Sequence, residues 1–558
     1  MFELKFNRVT FCIWIIVLIY LLNGCSHQTT EESNSPKEQN NIPKEENLHI
    51  GLKEFNPPID VHFVRETGQG LRDLIDNLPN ETLEDNRWND LYMSELGIDV
   101  EYDWIAEGDV YFRKLGSVLA SGNLPDVLKV NAQQLRQLSN ANLIHDLTDT
   151  YENYATPFTK EIMNQEGRAP IESAMLEGKL MAIPIVASSV DTAEFLWIRT
   201  DWLKKLNLAS PKTMKEVLAI SKAFANEDPD DNGINDTYGL AITKHFWDPS
   251  MGITSFFAGY DAYPKLWIEN NQGELEYGAI QSEVKIALKS LQKMYSEGQL
   301  DAEFFLKNGD RVKKDIANGK IGMLYGEQWS SFLVGSSLEE NPSAKWKAFP
   351  IVSSSDKEVK VPLKFGLDQF FVVRKDYAYP EAIIKMINLH LEKNWGDSAE
   401  YTKYYSTPLA VWQLSPVTPY PSLKNLDAFK QLRAARLSGD VDLLKDEAKS
   451  IYTTIQNYME NGDLSGWGWE LSYGSNGAYA ILDAYIEKNQ LLSNQFTGPP
   501  TNTMIEKGVI LDNYMHDTFM NIILGSPLDE FDDFVDKWHQ MGGKKITEEV
   551  NEWYRTYK

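Results

Sequence analysis

The sequence predicts an α/β protein of two lobes followed by a helical C-terminal region. Three observations carry this expectation. Strand-like and helix-like segments alternate with short turns early in the chain; the proline-broken apolar stretch Gly178–Ile185 runs into the small polar residues Ala187–Thr192; and beyond Leu423 the apolar spacing is mostly helical. From His49 onward roughly 510 residues remain, too many for one hydrophobic core, and two lobes is the simplest division.

Residues 49–187 form the first part of lobe 1 in this reading. Val61–Val64 reads as a strand; Trp88, Leu91, Tyr92 and Leu96 recur at helical spacing, and Gly97 caps that helix before a strand at Ile98–Tyr102. A helix over Val110–Leu119 ends at Gly122 and leads into the strand Asp126–Val130. Such units are right-handed, form a largely parallel sheet, and place ligand sites beyond the C-terminal ends of the strands. After the crossing, residues 188–362 make the first part of lobe 2, with a strand at Glu194–Arg199 and helices at Thr200–Leu206 and Met214–Phe224. A return over Val361–Phe371 gives residues 363–422 back to lobe 1, with an extended run at Phe370–Val373 and a helix at Pro380–Leu391. Residues 423–558 are expected to be helical and to brace both lobes, with helices at Leu443–Tyr458, Ala478–Lys488 and Glu530–Met541.

The N-terminus sets the compartment. Lys5 and Arg8 precede the apolar run Phe11–Leu22, followed at once by Leu22-Asn23-Gly24-Cys25, so residues 1–24 read as a lipoprotein signal peptide ending in a lipobox. The run is shorter than the ~20 residues a spanning helix needs. Cleavage removes Cys12 and leaves Cys25 alone, so its thiol is expected to carry lipid, palmitate included, rather than a disulfide. Residues 25–48 contain almost no apolar side chains and read as a flexible tether holding the body at the outer face of the cytoplasmic membrane.

With 54 basic against 81 acidic residues, the formal charge of -27 excludes nucleic acid as a partner. It also disfavours polyanionic ligands unless a local basic pocket offsets it, which favours neutral sugars.

The sharpest local pattern runs from Asp228 to Asp236. Asp228, Asp230, Asn232 and Asp236 occupy positions 1, 3, 5 and 9 of a cation-wrapping loop, Gly233 takes the turn at position 6, and Ile234 offers its carbonyl at position 7. Position 12 is Gly239 rather than a bidentate glutamate. A structural Ca2+ is expected there, with either a carboxylate from elsewhere completing its shell or a weak affinity; the competing reading is a solvated turn. Aromatic side chains beside Gly, Ser and Asn form a second pattern, in Trp467-Gly468-Trp469 with Tyr473, Gly326-Glu327-Gln328-Trp329, and His245-Phe246-Trp247-Asp248. Flat rings stack on the apolar faces of sugars while polar neighbours bond the hydroxyls. No two histidines lie within four positions of each other, and the chain lacks a Walker glycine loop and a Gly-x-Ser-x-Gly elbow. A non-enzymatic binding role follows, against two alternatives: a cell-surface glycan-degrading enzyme and a non-transport peptide-binding or sensory lipoprotein.

Over nearly the whole mature length the sequence resembles the lipoprotein branch of the family 1 extracellular solute-binding proteins of carbohydrate ABC importers. The resemblance is carried by Asn123–Val127, Gly178-Lys179-Leu180 with Ile183-Pro184, Arg199–Leu203 leading to Pro211-Lys212-Thr213, and the Asp228–Asp236 loop. Gly319–Met323, Phe496–Thr501 and Ile546–Tyr554 continue it. It implies a type II periplasmic-binding-protein fold: two α/β lobes, a hinge and a ligand cleft that closes on an oligosaccharide, delivered by a monomer to membrane permease subunits. By position, it implies substrate contacts from Trp329, Trp467 and Trp469, from Lys129, Asn131 and Gln133 after a first-lobe strand, and from Asp368 and Gln369 near the return hinge; the aromatic pattern adds Trp247. Phe256 and Phe257 are weaker candidates.

Overall fold

The computed structural model describes residues 50–364, 369–406 and 410–557. The signal peptide, Cys25, the tether and Asp368 lie outside the described residues.

Local chemistry sets the first lobe. The Asn86 side chain accepts the N–H groups of Trp88 (2.9 Å) and Asn89 (3.3 Å) at the head of helix Arg87–Leu96, and Gly97, at φ +63°, ends it. Trp88, Leu91, Tyr92 and Leu96 form its buried face. Five strands make the first sheet in the order Ile98–Glu107, Ile59–Thr67, Val127–Val130, Phe370–Val373, Ile183–Pro184. The first three are parallel, and Phe370–Val373 is antiparallel to both of its neighbours. The expected strand Gly178–Ile185 is divided. Lys179–Leu180 closes a hairpin on Met175–Leu176, and Ile183–Pro184 alone joins the main sheet at its edge, where the missing N–H of Pro184 costs no ladder bond.

The second sheet has the order Trp346–Phe349, Phe195–Arg199, Ile321–Gly326, Tyr238–Leu240. Its first two pairings are antiparallel and its last is parallel. Helix Met214–Asn226 starts with a reciprocal cap between Thr213 and Glu216 and presses Phe224 onto Gly322, where a Cβ would lie 2.1 Å from the ring.

Each sheet has its own core. One gathers buried residues between Ile59 and Val186 and between Phe370 and Val417; the other gathers Ala193 to Leu363 and Leu426 to Val550. The buried apolar residues of the C-terminal helices join the second core. Phe519 of helix Asn502–Leu524, for instance, packs on Phe257 with ring centroids 6.0 Å apart. Toward the first lobe the Leu423 N–H donates to Gln165 Oε1 (3.2 Å), and Lys424 and Ala428 line one cavity with Phe158, Ile162 and Trp395. No helix among the described residues is long and apolar enough to cross a membrane.

Candidate functional site

Both crossings leave the first sheet at one edge. The Ile185 N–H donates to the Gln369 carbonyl (3.0 Å), so the outgoing chain after Pro184 and the incoming chain before Phe370 run side by side. Because Phe370–Val373 runs against Val127–Val130, this edge is the C-terminal end of the parallel strands, where α/β sheets hold ligands. In the second sheet Phe195, just past the crossing, pairs with Gly326, so the turn Glu327–Trp329 stands at the crossing edge too. Polar bonds fix the crossing itself. Glu166 accepts the N–H groups of Ser189 (2.9 Å) and Val190 (3.0 Å), Asp191 accepts from the Tyr479 hydroxyl (2.9 Å) and Asn425 Nδ2 (2.7 Å), and the Lys364 N–H donates to Thr192 Oγ1 (2.9 Å).

On the second-lobe edge, the half-buried Trp329 donates its indole N–H to Glu327 Oε2 (2.8 Å), whose other oxygen accepts from Lys364 Nζ (3.3 Å). Burial raises the Glu327 carboxyl above its ordinary range, against the pull of Lys364. Behind it Glu194 is fully buried, accepts one bond from the Ser255 N–H (3.2 Å), and has no partner at Oε1 among the described residues. Burial first, and then Glu327, push Glu194 up from 4.5 to about 7, with Lys364 opposing. The folded chain thus keeps a proton that the unfolded chain releases near its ordinary value. The stability this confers is complete below about 4.5 and is lost as pH rises through about 7. Glu194→Gln is accordingly expected to gain about 3 kcal/mol at pH 8 and to flatten the melting temperature between pH 5 and 8, as measured by calorimetry across that range.

On the first-lobe edge a cavity of about 200 Å³ is lined by Arg65, Glu66, Tyr102, Lys129, Phe371 and Trp412, among others. Arg65 donates to the Tyr102 hydroxyl (2.7 Å) and the Leu414 carbonyl (2.7 Å), and also to the Gln413 carbonyl. These bonds tie strand Ile59–Thr67 to the turn Val411–Leu414 that carries Trp412. Trp412 stacks on Tyr405 (6.1 Å, 18°), and Tyr405 on Tyr401 (4.6 Å, 24°). Lys129 is half-buried in the strand Val127–Val130, and burial lowers its pKa, with Glu66 opposing and Arg65 adding to the lowering.

The other expected site residues divide. Asn131 is a helix cap: its side chain accepts the Gln134 N–H (2.9 Å) while Gln134 returns the bond, which commits it to helix Ala132–Asn140. Gln133 is exposed on that helix, and Gln369 is exposed at the crossing itself. Trp247 is half-buried in the loop whose Pro249 carbonyl accepts the Glu327 N–H (3.0 Å), so it borders the second-lobe edge. Phe256 and Phe257 are wholly buried core residues. Trp467 is only 8% exposed and packs against Gly335, whose added Cβ would lie 3.6 Å from its ring. Trp469 is half-buried between Phe332 (5.1 Å) and Tyr473 (5.7 Å). Their helix, Trp467–Tyr473, is tied to the Trp329 turn by a bond from Ser472 Oγ to the Gln328 carbonyl (2.8 Å). Sequence reasoning missed Arg65, Tyr102 and Trp412, which come from three distant segments.

In the Asp228–Asp236 loop the oxygen-bearing side chains converge on the Asn232 amide, which donates to Asp230 Oδ2 (2.8 Å) and Asp236 Oδ1 (3.1 Å). Asp228 accepts the N–H groups of Asn232 (3.2 Å) and Gly233 (3.0 Å), and Gly233 sits at φ +78°. Despite some desolvation, the neighbouring Asp230 and the two backbone donors hold Asp228 low, while burial and the neighbouring Asp228 carboxyl push Asp230 up. Ile234 is exposed, and Gly239 lies against Ser221 with no room for a side chain. No group of three or more His, Cys, Asp or Glu side chains placed to hold a metal occurs among the described residues.

Two sheets are joined by paired crossings, and the model of the bacterial extracellular solute-binding protein family matches residues 75–393, more than half of the chain. The chain belongs to that family. Among its relatives, this solute-binding protein is 21% identical over 468 residues to the polygalacturonan/rhamnogalacturonan-binding protein YtcQ of Bacillus subtilis (strain 168), covering 82% of this chain and 86% of YtcQ. Its fold matches the S. pneumoniae ABC-transporter substrate-binding protein FusA in complex with kestose, at TM-score 0.61 and 16% identity, covering 89% of this chain and 99% of FusA. It also matches the alginate-binding protein AlgQ2 without calcium ion, at TM-score 0.58 and 17% identity, covering 90% and 99%.

Proposed function

We propose that this solute-binding protein captures an oligosaccharide between the two crossing edges and delivers it intact to the permease subunits of an ABC importer. The observation that carries this reading is the pairing of aromatic rings with charged hydrogen-bonding groups on both edges: Trp329 with Glu327 and Lys364 on one, Trp412 and Tyr102 with Arg65 and Lys129 on the other. Rings take the C–H faces of a sugar, and the charged groups take its hydroxyls. Ligand touching both edges favours the closed arrangement by its differential affinity, and the permease reads that arrangement. In this reading the body is a monomer, held by lipid on Cys25 at the outer face of the membrane. The names of YtcQ and FusA support the sugar class.

Ca2+ suits the Asp228–Asp236 loop. Asp228, Asp230 and Asp236 bring three carboxylates together whose mutual repulsion a cation would relieve, and rotating the Asn232 amide turns its oxygen toward the point where Asp230 and Asp236 meet. Asp228, Asp230, Asn232, Asp236 and the Ile234 carbonyl would hold the ion, which would brace the turn before strand Tyr238–Leu240. Calcium at about twenty times a dissociation constant in the 0.1–1 mM range is expected to add about 1.8 kcal/mol of stability, and Asp230→Ala to abolish that gain, as read by thermal shift with and without chelator.

The reading is tested by a thermal-shift screen of the full chain in detergent against plant and microbial oligosaccharides and peptides. A rise with one sugar class, the sugar recovered uncleaved, supports it. A rise with peptides alone, or cleavage of the sugar, overturns it.

A further inference from the structure

Lys129 and Arg65 are two half-buried cations that line one cavity with no carboxylate at ion-pair distance, whereas several other half-buried cations of the chain have one. Lys307 sits between Asp301 and Asp315 (2.7 Å to the latter), Lys424 meets Glu447 (3.0 Å), Arg199 meets Asp201 (2.6 Å) and Arg374 meets Asp126 (2.6 Å). No carboxylate lies within 4.0 Å of the Lys129 ammonium or the Arg65 guanidinium among the described residues, although both line the same cavity. Arg65 is held by neutral groups, a hydroxyl and two carbonyls, so its charge is uncancelled. The Lys129 ammonium makes no hydrogen bond among the described residues, so its donors are available to a ligand. Glu66, on the cavity rim, is exposed to water.

Desolvating two neighbouring cations whose cavity holds one carboxylate, the water-exposed Glu66, at no ion-pair distance costs free energy, and a chain with 81 acidic residues has carboxylates enough to cancel both. An anion that arrives with the ligand removes the cost on binding. We propose that this cavity takes the carboxylate of a uronic acid, making the ligand an acidic oligosaccharide. Lys129 pairs with the carboxylate, Arg65 adds charge while positioning the turn Val411–Leu414, and Trp412 and Tyr102 stand beside the ring. The net charge of -27 points to neutral sugars, but it describes the whole surface; charge at the cavity decides the ligand. This inference rests on the oligosaccharide reading above and narrows it.

The test is calorimetric titration of the full chain in detergent with galacturonate, mannuronate and glucuronate oligosaccharides, each beside its carboxyl-reduced neutral counterpart. At least one acidic member is expected to bind tenfold or more tighter than its counterpart. Lys129→Met is expected to erase that preference and Lys129→Arg to restore most of it, and because Met removes a desolvated charge the melting temperature of Lys129→Met is expected to rise rather than fall. Equal binding of every pair, or binding of neutral members alone, overturns the uronate proposal and leaves the oligosaccharide reading standing. Failure of all of these sugars and of the wider sugar screen overturns both. A preference that survives in Lys129→Met overturns the assignment of the carboxylate to this cavity.

Discussion

Replacing Trp329 with alanine is expected to weaken oligosaccharide binding about a hundredfold, roughly 2.7 kcal/mol, with a much smaller effect on folding. The indole is half-buried at the crossing edge and fixed by its bond to Glu327 (2.8 Å), so its face is presented in one orientation without further loss of rotamer freedom on binding. Glu327 keeps Lys364 in the variant, which limits the stability cost to about 1 kcal/mol. Trp329→Phe retains a flat face and is expected to recover most of the affinity. Titration calorimetry gives the affinities and a thermal melt the stabilities.

Trp467→Ala is expected to do the reverse. This tryptophan is 8% exposed and packed against Gly335, so truncation leaves a void and costs about 3–5 kcal/mol in urea unfolding. The folded fraction is expected to bind sugar within about threefold of the parent, because the loss lies in packing rather than at the edge. The two variants together separate recognition from packing in residues whose local sequences look alike.

That likeness marks how far the sequence could be read. Trp329 and Trp467 both follow small and polar neighbours, and only strand pairing puts one at the crossing edge and the other in the core. Asn131 has the right chemistry for a sugar hydroxyl, but Gln134 three residues on is the partner of a capping box, a signal the sequence did carry. The first-lobe cavity was beyond reach for a different reason. Phe63 pairs with Tyr102, but a register shift right after it pairs Val64 with Trp104, and Trp412 arrives on the returning chain. Lys129 alone is legible, because the strand that carries it is plain from its apolar run.

The fold itself was largely legible. Period-two and period-3.6 spacing, with Gly97 and Gly122 as stops, placed the early elements within a few residues of their bounds. Phe370–Val373 is recognisable as extended because four consecutive apolar residues buried on both faces read as an interior strand. The hairpin Met175–Leu180 merges with the following strand in the sequence. Its turn opens on Glu177 at φ +51°, a conformation glutamate seldom takes, and Gly178 at φ +78° comes only second, so no familiar turn pair marks the break. The quoted C-terminal motifs meet in space: Phe496 packs on Trp553 (4.9 Å), and a Cβ on Gly498 would lie 2.5 Å from that indole.

The most direct test of the central claim is titration of the full chain in detergent with the oligosaccharide that the thermal screen selects, followed by mass analysis of the recovered sugar. The account predicts one-to-one binding, an unaltered sugar, and loss of binding in Trp329→Ala. Shortened products, or undiminished affinity in that variant, would contradict it.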